Sequence, residues 1–291
     1  MPSAHATTGS TMPRRQLGRH LRDLRNRARM TTRTAAAQLE WSEAKIWRIE
    51  TGQTSLRSLD VEAMCKIYGA PGDLVGPLTA LARQTKARGW WTAYSDVVAE
   101  GFEVYLGLEE SARGLSTYEN ELVPGLLQTE AYARALLTAA RPEASAAEID
   151  RRVRLRMARQ ALITRAESPL QLDVVIGESL LWRRLGGTEV TADQLDHLRR
   201  VCDLPNVRIK VVPADSGYHD GMDSGRFVLL DFAEAGVNGI NEPSVVYVEA
   251  FTGPVYLEKE HEIDRYRGAF ANIKATAVDA RAGIEEARNA L

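Results

Sequence analysis

The sequence predicts a mainly α protein with an α+β second domain: a five-helix bundle comes first, then helices with a four- to five-stranded, mainly antiparallel sheet. Three observations carry this reading. Apolar residues recur at helical spacing over roughly the first 88 positions, whereas from residue 170 short β-branched runs take over. Charge divides along the same line: residues 1–90 hold 15 Lys/Arg against 7 Asp/Glu, and the rest hold 22 against 32. A +8 segment therefore precedes a −10 segment within a chain of net −2. The length of 291 residues suits two domains.

Residues 1–12 are small and polar, with no cationic stretch leading into an apolar core, and predict a disordered tail rather than a signal peptide. A first domain is predicted over 13–72. From Arg14, the positions Leu17, Leu21, Leu24 and Ala28 form one helical face, with arginines on the others. Thr31 and Thr32 cap a short second helix ending at Leu39, and Glu40-Trp41-Ser42 breaks the pattern. Ser42 is a good N-cap for a third helix, Glu43 to Thr51, which stops at Gly52. There Ile46 and Ile49 face one way, while Glu43, Lys45 and Arg48 face elsewhere. Ser58 opens a fourth helix with Val61, Met64, Cys65 and Tyr68, ended by Ala70-Pro71-Gly72, and 73–88 predicts a connecting helix.

Two short helices joined by a three- to four-residue turn suit a helix-turn-helix, with Ala36 small at the crossing and Trp41 plugging the turn. The stretch Ala35 to Gly52, with its Ile49-Glu50-Thr51-Gly52 ending, resembles the xenobiotic-response-element (phage-repressor-like) helix-turn-helix family. That resemblance implies an ion pair between Arg25 and Glu50. It implies base-edge contacts from Ser42, Glu43, Ala44 and Arg48, with Lys45 at the groove wall. It further implies phosphate contacts from Thr32, Thr51, Gln53 and Ser55, with Arg57 nearby. Two positions depart from the family: Glu40 stands where glycine is usual, and Trp47 stands on the DNA-facing side where a small polar residue is usual.

The second domain is predicted over 89–291. Residues 103–138 predict helical pieces broken at Val123-Pro124-Gly125, and Ser145 with Glu148 predicts a capping box opening a long helix over about 146–164. Strands follow at 170–176, 207–212, 226–232, 245–249 and 253–257, with helices at about 178–185 and 191–203 and a closing helix from about 259. Several strings here resemble a domain of unknown function that trails this kind of helix-turn-helix in actinobacterial regulators: Gly89-Trp90-Trp91, Tyr94-Ser95-Asp96, Tyr118-Glu119, Leu122 to Thr129, Arg156-x-x-Arg159-Gln160 and Val246 to Glu249. The resemblance implies an antitoxin-like regulator with a small protein partner encoded nearby. Trp90, Trp91, Tyr94, Tyr118, Leu126 and Gln128 are candidates for a ligand or partner surface, or else for core.

No run approaches the ~18 apolar residues of a membrane span. Cys65 and Cys202 offer neither a disulfide framework nor zinc spacing, which suits the cytoplasm. His5, His20, His197, His219 and His261 show no metal-ligand spacing, and the Gly-rich loop 215–225 has no strand-to-helix elbow around its serine. The expectation is a non-enzymatic, cofactor-free transcriptional regulator that binds a short palindromic operator on double-stranded DNA as a homodimer. Its second domain would sense a ligand or protein partner, or sequester a partner as an antitoxin does.

Overall fold

A computed structural model of the chain describes residues 11–99, 101–232 and 242–291. Its described residues form two compact units. The first holds residues 11–93, 103–111 and Glu242; the second holds the others.

In the first unit, five helices form the bundle: α1 (Thr11–Arg27), α2 (Thr32–Leu39), α3 (Glu43–Glu50), α4 (Ser58–Tyr68) and α5 (Gly72–Gln84). Leu17, Leu21 and Leu24 of α1 meet Ala35 and Ala36 of α2, Ile46 and Ile49 of α3, and Val61, Met64 and Cys65 of α4 in one core. Leu78, Leu81 and Ala82 belong to that core, so the helix expected to connect two domains is the fifth member of the bundle. A Cβ on Gly18 would lie 2.4 Å from the Ile49 carbonyl oxygen, so glycine is what lets α1 and α3 cross this closely. The tail expected over 1–12 overlaps α1, because Thr11 is buried against Gly107 of α6 (Phe102–Ser111); residues 1–10 lie outside the described residues. A 3-10 turn, Trp90–Tyr94, follows the bundle.

The second unit is built on a seven-stranded sheet in the order β6-β5-β4-β1-β2-β3-β7. Its strands are β1 (Gly114–Glu119), β2 (Gln171–Gly177), β3 (Val207–Val212), β4 (Phe227–Asp231), β5 (Val245–Ala250), β6 (Gly253–Leu257) and β7 (Val278–Asp279). The five expected strands are present, and β1 and β7 are added. β1 lies where helical pieces were expected; its Leu-Ser-Thr-Tyr run carries little apolar signal, and its place between β2 and β4 supplies the pairing that fixes it. β7 is two residues long and below any periodic signal.

Four strand pairings are antiparallel, but β1–β2 and β2–β3 are parallel. The parallel pairs follow from helical crossovers. Between β1 and β2 run a 3-10 turn (Gly125–Leu127), α7 (Glu130–Ala140), α8 (Ala146–Arg159) and α9 (Ala161–Thr164). Between β2 and β3 run α10 (Ser179–Trp182) and α11 (Thr188–Val201). The long helix expected over 146–164 is divided at Gln160 into α8 and α9. The Gly-rich loop holds a helical turn, α12 (Gly221–Ser224), with His219 buried beside it and its ring edge-on to Tyr118 at 5.7 Å.

The closing helix α13 (Glu260–Thr276) packs across β1, β3, β4 and β5, placing Ile263, Phe270 and Ile273 against Tyr118, Phe227 and Val246. Lys210 caps its end by donating to the carbonyls of Lys274 and Ala277 at 3.2 and 2.9 Å. A last helix, α14 (Ala280–Asn289), lies on α11. Cys65 in the first unit and Cys202 in the second are free thiols, both buried, and burial pushes both up from the usual thiol range. No helix among the described residues is long and apolar enough to cross a membrane.

Candidate nucleic-acid interface

Local chemistry explains why α2 and α3 are two helices and not one. Thr31 accepts from the Thr34 N–H at 3.0 Å, opening α2, and Ser42 accepts from the Lys45 N–H at 3.2 Å, opening α3. Between them Glu40 takes the left-handed conformation, φ 55° and ψ 38°. The Trp41 N–H then reaches the Ala36 carbonyl at 2.8 Å and the Glu40 N–H reaches Ala37 at 3.3 Å, the hydrogen-bond pattern that ends a helix with a left-handed residue. The glycine position is thus filled by a glutamate in a glycine's backbone geometry.

With α3 so placed, Ile46 and Ile49 are fully buried, and Ser42, Glu43, Ala44, Trp47 and Arg48 are exposed on its other side. Trp47 stands out at 54% exposed, a large apolar ring on a face otherwise polar or small. The far end of α3 is held by Arg25, whose Nε and Nη2 donate to the two Glu50 carboxylate oxygens at 2.7 and 2.8 Å. Arg25 Nη1 also donates to the Met30 carbonyl at 2.8 Å, tying α1, the α1–α2 turn and α3 together. This planar, two-pronged pairing uses the fork geometry that lysine lacks. The Glu50 hydrogen bond holds the Arg25 guanidinium above its usual value.

Several other predicted contact residues already have partners within the unit. The Lys45 ammonium lies 3.3 Å from the centre of the Trp41 ring, a cation–π contact. Thr32 reaches the Glu43 carboxylate at 3.5 Å, and the Thr51 hydroxyl donates to the Trp47 carbonyl at 2.8 Å. Arg57 is exposed but forks onto Asp60 at 3.1 Å for both nitrogens, and this hydrogen bonding lowers the Asp60 carboxyl. Gln53 and Ser55 are exposed beyond the end of α3.

Arg14, Arg15 and Arg19, among the arginines on the other faces of α1, serve the fold. Arg14 donates to the Thr85 carbonyl at 2.9 Å. Arg15 is buried with its Nε 3.6 Å from Glu242, and Arg19 donates to the same carboxylate at 2.5 Å. Nothing in the local sequence around α1 signals Glu242, which lies 223 residues beyond Arg19.

The candidate ligand or partner surface divides. Trp91, Tyr118, Leu126 and Gln128 are buried and act as core; Trp90 and Tyr94 are half-buried. Trp90 and Trp91 meet edge-on at 6.0 Å. The Arg151 guanidinium stands 5.5 Å over the Tyr94 ring, and its Nε donates to Asp96 at 2.7 Å. Gln128 is the hub of the 122–129 stretch: it donates to the Val123 carbonyl at 2.6 Å and accepts from Arg156 at 2.5 Å, and its own carbonyl accepts from Gln160 at 2.6 Å. Gln194, which sequence reasoning passed over, completes the clasp by accepting from the Thr129 N–H and donating to the Leu127 carbonyl, both at 2.8 Å. A glutamine on an amphipathic helix gives no sign of a buried partner 65 residues away.

The third helix of the bundle is anchored on one side and bare on the other, an arrangement that suits a helix-turn-helix. The model described as "Helix-turn-helix domain" matches residues 16–78, which makes the chain a DNA-binding regulator of the xenobiotic-response-element-like kind. The chain belongs to the family described as "Domain of unknown function (DUF5753)", whose model matches residues 102–286. No curated protein and no solved structure matched the chain.

Proposed function

We propose that the protein regulates transcription by binding a short, near-palindromic operator as a homodimer through the exposed face of α3, while its larger unit senses a small molecule or a protein partner. The observation supporting this is the two-sidedness of α3: Ile46 and Ile49 buried, Ser42, Glu43, Ala44, Trp47 and Arg48 bare. In a major groove Arg48 forks onto a guanine, Ala44 meets a thymine methyl, and Glu43 accepts from a cytosine amine. Thr32, Thr51, Gln53 and Ser55 lie toward the phosphates and set the register. One such module reads only a few base pairs, so a two-fold pair supplies the specificity that a genome demands.

The test is genome-wide footprinting of tagged wild type beside Arg48→Ala, followed by affinity measurement on the sites found. Discrete peaks that the variant loses, with specific affinity lowered by ~1–3 kcal/mol and non-specific affinity retained, are expected. Equal operator affinity in the variant would remove Arg48 from the interface.

A further inference from the structure

The larger unit contains a cavity of about 280 Å³ between α7–α8 and the β5–β6 hairpin. Four arginines line it, Arg141, Arg152, Arg156 and Arg159, against one carboxylate, Glu249. Arg152, Arg156 and Arg159 share one face of α8 by their i, i+4, i+7 spacing, and Arg141 follows the end of α7. The lone Glu249 is itself offset by Arg226 at 3.5 Å. Two stretches singled out in the sequence, around Arg156 and around Tyr247, thus face one another across this space.

The arginines differ in what they already do. Arg152 is engaged by Glu148 and the Val97 carbonyl, Arg156 by Gln128, and Arg159 stands 5.5 Å over the Phe102 ring. The exposed Arg141 side chain makes no ion pair among the described residues. The remaining walls are apolar: Val97, Val98, Phe102 and Leu137 on one side, Tyr247 and Pro254 on the other. At the mouth Phe251 occupies the two-residue tip of the β5–β6 hairpin with its ring fully exposed. Apolar walls with a few convergent polar groups are what a small-molecule site presents, and this volume suits a metabolite better than a drug-sized molecule.

We propose that this cavity binds a small organic anion with an apolar body, its charged head on Arg141 and the α8 arginines and its body between Phe102, Tyr247 and Phe251. Guanidinium supplies the fork that a carboxylate or other oxyanion fits, and the apolar walls raise the strength of that pairing. The assignment rests on the reading that the larger unit senses a ligand, and it names the site and chemical class.

The test uses the full chain and 8-anilinonaphthalene-1-sulfonate, an anion on an aromatic body, beside N-phenyl-1-naphthylamine, its uncharged counterpart. Thermal melts establish that each variant is folded. One saturable site per chain is expected for the anion, weakened about tenfold by Arg141→Ala and several-fold by Phe251→Ala, with the neutral probe bound far less well. Absence of saturable anion binding by the folded chain overturns the proposal, as does equal binding by Arg141→Ala or by the neutral probe. Operator affinity measured with the site filled separates the two claims. A filled site that leaves operator affinity unchanged sinks the sensing reading and leaves the site standing; an empty site sinks the proposal and leaves sensing of a protein partner intact.

Discussion

Glu40 holds a left-handed backbone at the turn between α2 and α3, where its Cβ crowds the following carbonyl. The turn still forms because the Trp41 and Glu40 N–H groups both find helix carbonyls. Glu40→Gly removes the crowding and is expected to raise the stability of the bundle by up to ~1 kcal/mol, read from urea unfolding, with operator affinity unchanged. A loss of stability would mean the glutamate side chain supports the turn in a way the backbone does not reveal. Glu119 illustrates the other kind of residue-scale cost. Burial, opposed by Arg226 and reinforced by Glu249, pushes its carboxyl up to about 7 from an ordinary 4.5.

Elements show where sequence reasoning holds and where it fails. The bundle helices were legible because they carry their own apolar stripes and punctuation: Thr31, Ser42 and Ser58 at starts, Gly52 and Ala70-Pro71-Gly72 at ends. The exposed face of α3 was legible for the same reason, since local spacing sets it, whereas the Arg25–Glu50 pair joins residues 25 apart and was implied by the family resemblance alone. β1 was not, since a short, mixed strand takes its state from neighbours at residues 171–176 and 227–231. Nor was the engagement of Arg15 and Arg19 by Glu242, a contact that only the folded chain creates. Gly18 belongs here too, because nothing in α1 alone demands a glycine in mid-helix. Gly18→Ala improves the intrinsic helix preference of α1 but drives a methyl into the Ile49 carbonyl. The expected net effect is a loss of ~1–3 kcal/mol in bundle stability as α1 and α3 are forced apart. A stabilised variant would show that the crossing relaxes freely.

For the molecule as a whole, Glu119 makes stability depend on pH. Between about 4.5 and about 7 the folded chain keeps a proton that the unfolded chain has released. Stability therefore falls as pH rises through that window, and the loss is complete above it. Glu119→Gln keeps the burial and removes the titration. It is expected to be more stable than wild type at pH 8 by up to ~3 kcal/mol and to lose the Glu119 share of the fall between pH 5 and pH 8. Denaturant titrations at those two values decide it: a fall of undiminished size in the variant would assign the dependence to another group.

The two sheltered thiols carry a practical consequence. Cys65 sits in the core of the bundle and Cys202 in the sheet-bearing unit, each buried and held in its unreactive protonated form. An alkylating reagent reaches either sulfur only when the structure around it opens. The chain therefore carries one chemical clock per unit, and the two alkylation rates, followed by mass, time the breathing of the DNA-reading module and of the sheet separately in one native sample.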